Sequence, residues 1–251
     1  TIVSATGPAA SVGVTQQRSV GILPSELGGQ KAEYILLDDA SDASTTVKHA
    51  KKLVTEDKVD VIVGPSLTPN SLALLEYLTE QKTPMISLAG SASIVDPVDA
   101  KRAWAFKTPQ SDAQMASVII AHMKKRGLKS VGLIGFSDAY GEGWIKVMTQ
   151  LTQDAGIKVV ASERFQRTDS SVLGQILKIM AANPEAVFIA ASGTPAALPQ
   201  TTLAERGYKG LVYQTHGVAN NDFLRVGGKA LEGTFVPAGP VLVAEQLQPA
   251  Q

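Results

Sequence analysis

The chain contains no cysteine, which excludes a disulfide framework, a thiolate metal site and a cysteine nucleophile together. That absence leaves the compartment open, because a cysteine-free chain suits oxidising and reducing surroundings alike. An excess of either charge is missing too: 23 basic residues balance 23 acidic ones, which removes the electrostatic reason to expect nucleic acid or an anionic membrane surface as partner. No apolar run approaches the roughly 18 residues of a membrane span, and the 251 residues contain no signal-peptide pattern. Also absent are a G-x-S-x-G elbow, a P-loop, a G-x-G-x-x-G after a strand and a His-x-x-x-His pair, so no enzyme class announces itself. What remains is a binder of a small molecule or a neutral partner, without cofactor or metal.

At 251 residues the chain is long enough for two domains with separate cores. Apolar strands alternate with amphipathic helices almost throughout, the pattern of an α/β fold with mainly parallel sheets covered on both faces. Strands are expected at Tyr34 to Leu37, Val59 to Val63, Pro84 to Leu88 and Trp104 to Lys107, then at Val131 to Phe136, Val159 to Glu163, Ala186 to Ala190 and Leu211 to Tyr213. Helices are expected over Thr45 to Glu56, Asn70 to Gln81, Ala113 to Arg126, Trp144 to Ala155, Val172 to Ala182 and Ala196 to Arg206. Leu173, Ile176, Leu177 and Met180 show the helical period, and Asn183-Pro184 stops that helix because proline cannot continue it.

Two Rossmann-like lobes follow, with the chain crossing at Lys107-Thr108-Pro109-Gln110-Ser111-Asp112, where a proline breaks regular structure ahead of a Ser or Asp N-cap. A second crossing is expected after Gly233-Thr234-Phe235-Val236-Pro237, giving a first lobe over 1–108, a second over 109–237, and a return of 238–251 to the first. Two crossings imply a hinge. Thr1-Ile2-Val3 reads as the end of a first strand and Gln248-Pro249-Ala250-Gln251 as an interruption, so a trimmed first lobe is expected.

The loops after the strands carry the candidate chemistry, since open α/β sheets bind ligands outside the carboxyl ends of their strands. Ser137-Asp138-Ala139-Tyr140-Gly141-Glu142-Gly143 sets an aromatic ring between a strand and a helix marked by Trp144, Val147, Met148 and Leu151. Tyr140 is expected at the mouth of a crevice, or else as a half-buried support for its helix. Gly64-Pro65-Ser66-Leu67-Thr68-Pro69-Asn70 opens another helix, where free N–H groups attract an anion; ordinary capping explains the same residues. Ser87-Leu88-Ala89-Gly90-Ser91 ends the next strand, with small residues that permit close approach or make a plain turn. Asp38, Asp39 and Asp42 fit a strand-end turn and a helix cap better than a metal site. Of three histidines, His49 and His122 lie in lysine-rich helices and are expected to face water, whereas His216 follows a strand.

Four segments taken in order, Ser4-Ala5-Thr6-Gly7-Pro8-Ala9-Ala10, Asp38-Asp39-Ala40-Ser41-Asp42, Val63-Gly64-Pro65-Ser66 and the Tyr140 stretch, resemble the periplasmic substrate-binding proteins of the branched-chain amino-acid type of ABC importer. The resemblance implies a type I periplasmic binding fold, a periplasmic monomer, and delivery of ligand to a membrane permease. It implies that Ser66, Leu67, Thr68, Ala89, Gly90 and Ser91 hold a ligand carboxylate from the first lobe, while Tyr140, Thr194 and His216 contact it from the second.

Two departures bear on specificity. Amino-acid-binding members usually carry an acidic residue where His216 stands, and aromatic residues where Ala191-Ser192-Gly193-Thr194-Pro195 stands. An unpaired buried ammonium costs several kcal/mol, so these departures favour an aromatic or hydroxylated carboxylate over leucine, isoleucine or valine. A ligand-sensing domain of a receptor is the competing class, because fold does not decide function.

Overall fold

The computed structural model describes residues 1–246 and divides into two compact units, Thr1–Pro109 and Gln110–Gln251. In the first unit, short parallel strands alternate with helices: β1 (Ile2–Val3), α1 (Ala10–Val20), a small hairpin of β2 (Glu26–Leu27) and β3 (Gln30–Lys31), then β4 (Leu37–Asp38), α2 (Ala43–Thr55), β5 (Ile62–Val63), α3 (Thr68–Gln81), β6 (Met85–Ser87) and β7 (Ala105–Lys107). β1 pairs with β4, and β5, β6 and β7 pair in that order, all parallel. The core is a modest cluster that includes Ile2, Leu53, Ile62, Leu74, Leu78, Met85 and Ile94. The sequence pattern does not mark α1, because its only buried residues are Ser11 and Gly13 and no apolar stripe advertises it.

The second unit runs α4 (Asp112–Lys125), β8 (Ser130–Phe136), α5 (Ala139–Asp154), β9 (Lys158–Phe165), α6 (Leu173–Ala181), β10 (Ala186–Ala190), α7 (Ala197–Glu205), β11 (Leu211–Gln214) and α8 (Asn221–Gly227). Its sheet is fully parallel in the order β11-β10-β8-β9. β10 is buried at all five positions, which is what a central parallel strand covered on both faces requires. Trp144, Phe136, Phe188 and Tyr213 are the largest side chains sealed in this unit. Ser111 caps α4 in a reciprocal box with Gln114, as the polar stretch before that helix leads one to expect.

Three expectations need correction. Residues 238–246 group with the second unit instead of returning to the first, because Phe235 runs parallel to Tyr213 beside β11 and a 3-10 turn over Pro240–Gln246 follows; 247–251 lie outside the described residues. His49 does not simply face water, since its Nε2 lies 2.9 Å from the Asp38 carbonyl oxygen. Neither does His122, whose Nδ1 lies 2.9 Å from the Tyr213 hydroxyl and whose ring lies 4.3 Å from that of Phe235. A lysine-rich neighbourhood describes the outer face of a helix and says little about a residue on its flank.

Candidate ligand-binding site

In the first unit β5 and β6 are hydrogen-bonded neighbours, so the loops that follow them stand side by side. After β5 the chain passes through Gly64, whose φ is +107° and where an added Cβ would fall 2.0 Å from the Ile2 carbonyl oxygen. Only glycine fits that approach. Ser66 comes next, and its hydroxyl is already engaged: it accepts from the Ser4 N–H at 3.0 Å and donates to Gln16 Oε1 at 2.5 Å. Ser66 therefore ties the loop to β1 and α1, and its proton is not available to a ligand. Leu67, 4% exposed, occupies the N-cap of α3, with no side-chain acceptor for the first-turn N–H groups. Thr68 follows at 1% exposure, and its hydroxyl has no hydrogen-bond partner among the described residues.

After β6, Ser87 bonds Ser71 at 2.8 Å and accepts from the Ala89 N–H at 3.1 Å. Ala89 and Gly90 are buried, and Ser91 starts the 3-10 turn Ala92–Ile94, with its hydroxyl 2.9 Å from that of Ser93. The acidic stretch nearby fastens loops, as its sequence suggests. Asp39 accepts from Ser4, Thr46 and Asn70, while Asp42 caps α2 through the Thr45 N–H. The Ser44 hydroxyl and the Thr45 N–H hold the Asp42 carboxyl down at about 2.

In the second unit β8 lies between β9 and β10, so the chain leaves β8 on one side and returns on the other. The crevice of an open sheet forms at such a reversal, and it is here that the loops after β8, β10 and β11 meet. Asp138 caps α5, with Oδ1 accepting from the N–H groups of Tyr140 and Gly141 at 2.9 and 3.1 Å. Tyr140 is 6% exposed. Its hydroxyl donates to Thr215 Oγ1 at 2.9 Å, and Thr215 donates in turn to the Ala191 carbonyl at 2.6 Å. Burial pushes the Tyr140 phenol up to about 12, so it remains a donor at any physiological pH. In this structure its ring is packed into the unit, not held at a crevice mouth, because Thr215 offers the hydroxyl a partner inside.

Thr194 opens the 3-10 turn Thr194–Ala196 after β10, and His216 opens the turn His216–Val218 after β11. The Gly193 N–H donates to the Gly217 carbonyl at 2.9 Å and joins the two loops. At Gly217 an added Cβ would sit 2.7 Å from the Ser192 Cβ and 2.8 Å from the Tyr140 hydroxyl, so glycine is what lets the three strand ends converge. The His216 ring lies half-buried with its centroid 5.8 Å from that of Trp144.

One residue at this site escapes sequence reasoning. Arg167 follows β9, and its guanidinium lies 4.0 Å over the Phe136 ring. Its Nε donates to Asp138 Oδ2 at 2.6 Å and its Nη1 to Ser192 Oγ at 3.2 Å. The pattern ends β9 at Glu163, whereas the strand runs to Phe165; the two extra residues bring Arg167 up to the strand end. The phenylalanine at 165, continuing the alternation, is the signal that would have found it.

Among the described residues no helix is long and apolar enough to cross a membrane, and no group of acidic or histidine side chains could hold a metal ion. The family model described as "Periplasmic binding protein" matches residues 1–248. An extracellular ligand-binding receptor from Rhodopseudomonas palustris HaA2 superposes with a TM-score of 0.97 at 46% identity, covering 100% of this chain and 69% of that one. A solute binding protein of an ABC transporter from Rhodopseudomonas palustris BisB5, solved in complex with 3,4-dihydroxybenzoic acid, gives 0.82 at 26% identity over 91% of this chain and 64% of that one. The leucine-, isoleucine-, valine-, threonine- and alanine-binding protein of Pseudomonas aeruginosa is 25% identical over 91% of this chain, which spans 62% of that relative's length. Two parallel α/β units and a family match along nearly the whole chain agree: the protein belongs to the periplasmic binding protein family, with the type I fold.

Proposed function

We propose that this protein is an extracytoplasmic solute-binding protein that captures a small carboxylate and delivers it to the membrane permease of an ABC importer. The preferred ligand is an aromatic or hydroxylated carboxylate. The observation that carries this reading is Thr68. A buried hydroxyl without a partner costs about 1–3 kcal/mol, and this one stands in the first turn of a helix that has no side-chain cap. A ligand carboxylate there would bond both the hydroxyl and the first-turn N–H groups, at the positive end of the helix dipole. Leu67, Ala89, Gly90 and Ser91 frame that position by backbone and small side chains. Ser66 serves it indirectly, by fixing the loop.

The second unit supports the aromatic preference. Asp138 has its oxygens engaged by two backbone N–H groups and a guanidinium, so it is not available to an ammonium. His216 and Thr194 bring an imidazole and a hydroxyl to the ends of β11 and β10. The dihydroxybenzoate bound by the BisB5 relative fits the same ligand class.

One observation favours a branched-chain amino acid instead. Asp112 is a carboxylate of the second unit that is only 3% exposed, and its charge adds slightly to the burial that raises the Tyr140 phenol. Titration calorimetry with 3,4-dihydroxybenzoate and with leucine separates the two readings. The aromatic acid is expected to bind more tightly, and Thr68→Val to weaken it by about tenfold. Tight leucine binding that is lost in Asp112→Asn overturns the aromatic reading.

A further inference from the structure

The geometry points to Arg167 as the specificity-determining residue of the second unit, one that donates to a ligand oxygen other than the carboxylate. This rests on the function proposed above. A guanidinium carries five N–H donors in a rigid fork. Here Nε is spent on Asp138 and one Nη1 hydrogen on Ser192, while Nη2 has no partner among the described residues. The Arg167 side chain is nonetheless held on three sides, by Phe136 below and by Asp138 and Ser192 at its edges, and is only 12% exposed. Preorganised donors with unspent hydrogens, at the reversal point of the sheet, are what recognition of a polar ligand group requires.

The chemistry of the partner follows. An ammonium or another cation is repelled by the guanidinium, and an alkyl group leaves its donors dry and unmatched. A phenolic or hydroxyl oxygen, a carbonyl or a second carboxylate accepts from them. Asp138 is the positioning partner: its ion pair aims the fork and cancels the formal charge, so the site discriminates by hydrogen-bond geometry more than by net charge.

Calorimetry with benzoate and 3,4-dihydroxybenzoate, which differ only in ring hydroxyls, tests the assignment. The protein is expected to bind the dihydroxy acid more tightly. Arg167→Lys keeps the charge but loses the fork, and is expected to weaken 3,4-dihydroxybenzoate by about tenfold or more while changing benzoate by less than about threefold. Ser192→Ala, which releases Nη1, is expected to move the same ratio in the same direction by a smaller factor. Should Arg167→Lys fail to fold, the Ser192→Ala ratio decides alone. Equal losses for both acids, or no loss for either, overturn the inference and leave the proposed function standing. Failure of the wild-type protein to bind either acid overturns the proposed function and the inference with it.

Discussion

Tyr140 shows how much one side chain's direction matters. Its place between a strand and a helix is legible in the sequence, and so is the crevice end of the sheet where it stands. Its inward rotation is not, because that depends on Thr215, 75 residues on, offering a hydroxyl at 2.9 Å. Tyr140→Phe is expected to cost about 1 kcal/mol of stability, one hydrogen bond within a buried chain of them. Tyr140→Ala is expected to cost about 3 kcal/mol or more, because it also leaves a cavity against Trp144. Chemical denaturation curves with a constant slope check both values, and an alanine variant as stable as the wild type would show the ring to be surface-borne. Arg167 was illegible for a different reason: a lone arginine beyond a strand has no pattern, and only the neighbouring Phe136, Asp138 and Ser192, drawn from two other strand ends, give it a place.

Strand and helix identities follow from the alternation of apolar runs, and the described elements depart from that reading mainly at their ends. The misses share a cause. α1 packs through small residues, and the β2–β3 hairpin is exposed at every position, so neither carries a hydrophobic period. The junction of β5 with α3 illustrates the opposite case, where a single position constrains a whole element. Gly64→Ala puts a methyl group against the Ile2 carbonyl and forces a left-handed φ on an L side chain, together a cost of about 2 kcal/mol or more. The helix N-terminus that follows would shift with it. Gly64→Ala is therefore expected to lower the thermal midpoint and to weaken carboxylate binding together, measured by calorimetry on one preparation; lost stability with unchanged affinity would separate the junction from the ligand.

Each unit owns its core, and among the described residues no sheet draws strands from both units. A ligand is expected to stabilise the unit that holds it, by about 2.7 kcal/mol at a free concentration one hundred times its dissociation constant. In differential scanning calorimetry the component of the melting profile that rises with ligand marks the unit in contact, and a profile with no component that rises would count against binding by either. Residue counts and alternation made two units legible, whereas the path of the last residues was not, because a chain returning along β11 and one departing from it look alike in an apolar stretch such as Thr234-Phe235-Val236-Pro237.

The second unit's sheet is assembled from one uninterrupted stretch, β8 through β11, and the chain enters that unit at Gln110 without regular structure on the residues just before it. A genetic crossover within codons 108–111 would thus exchange an entire parallel sheet, with its caps, its strand-end loops and Arg167, for that of a relative, without splitting a helix or a strand.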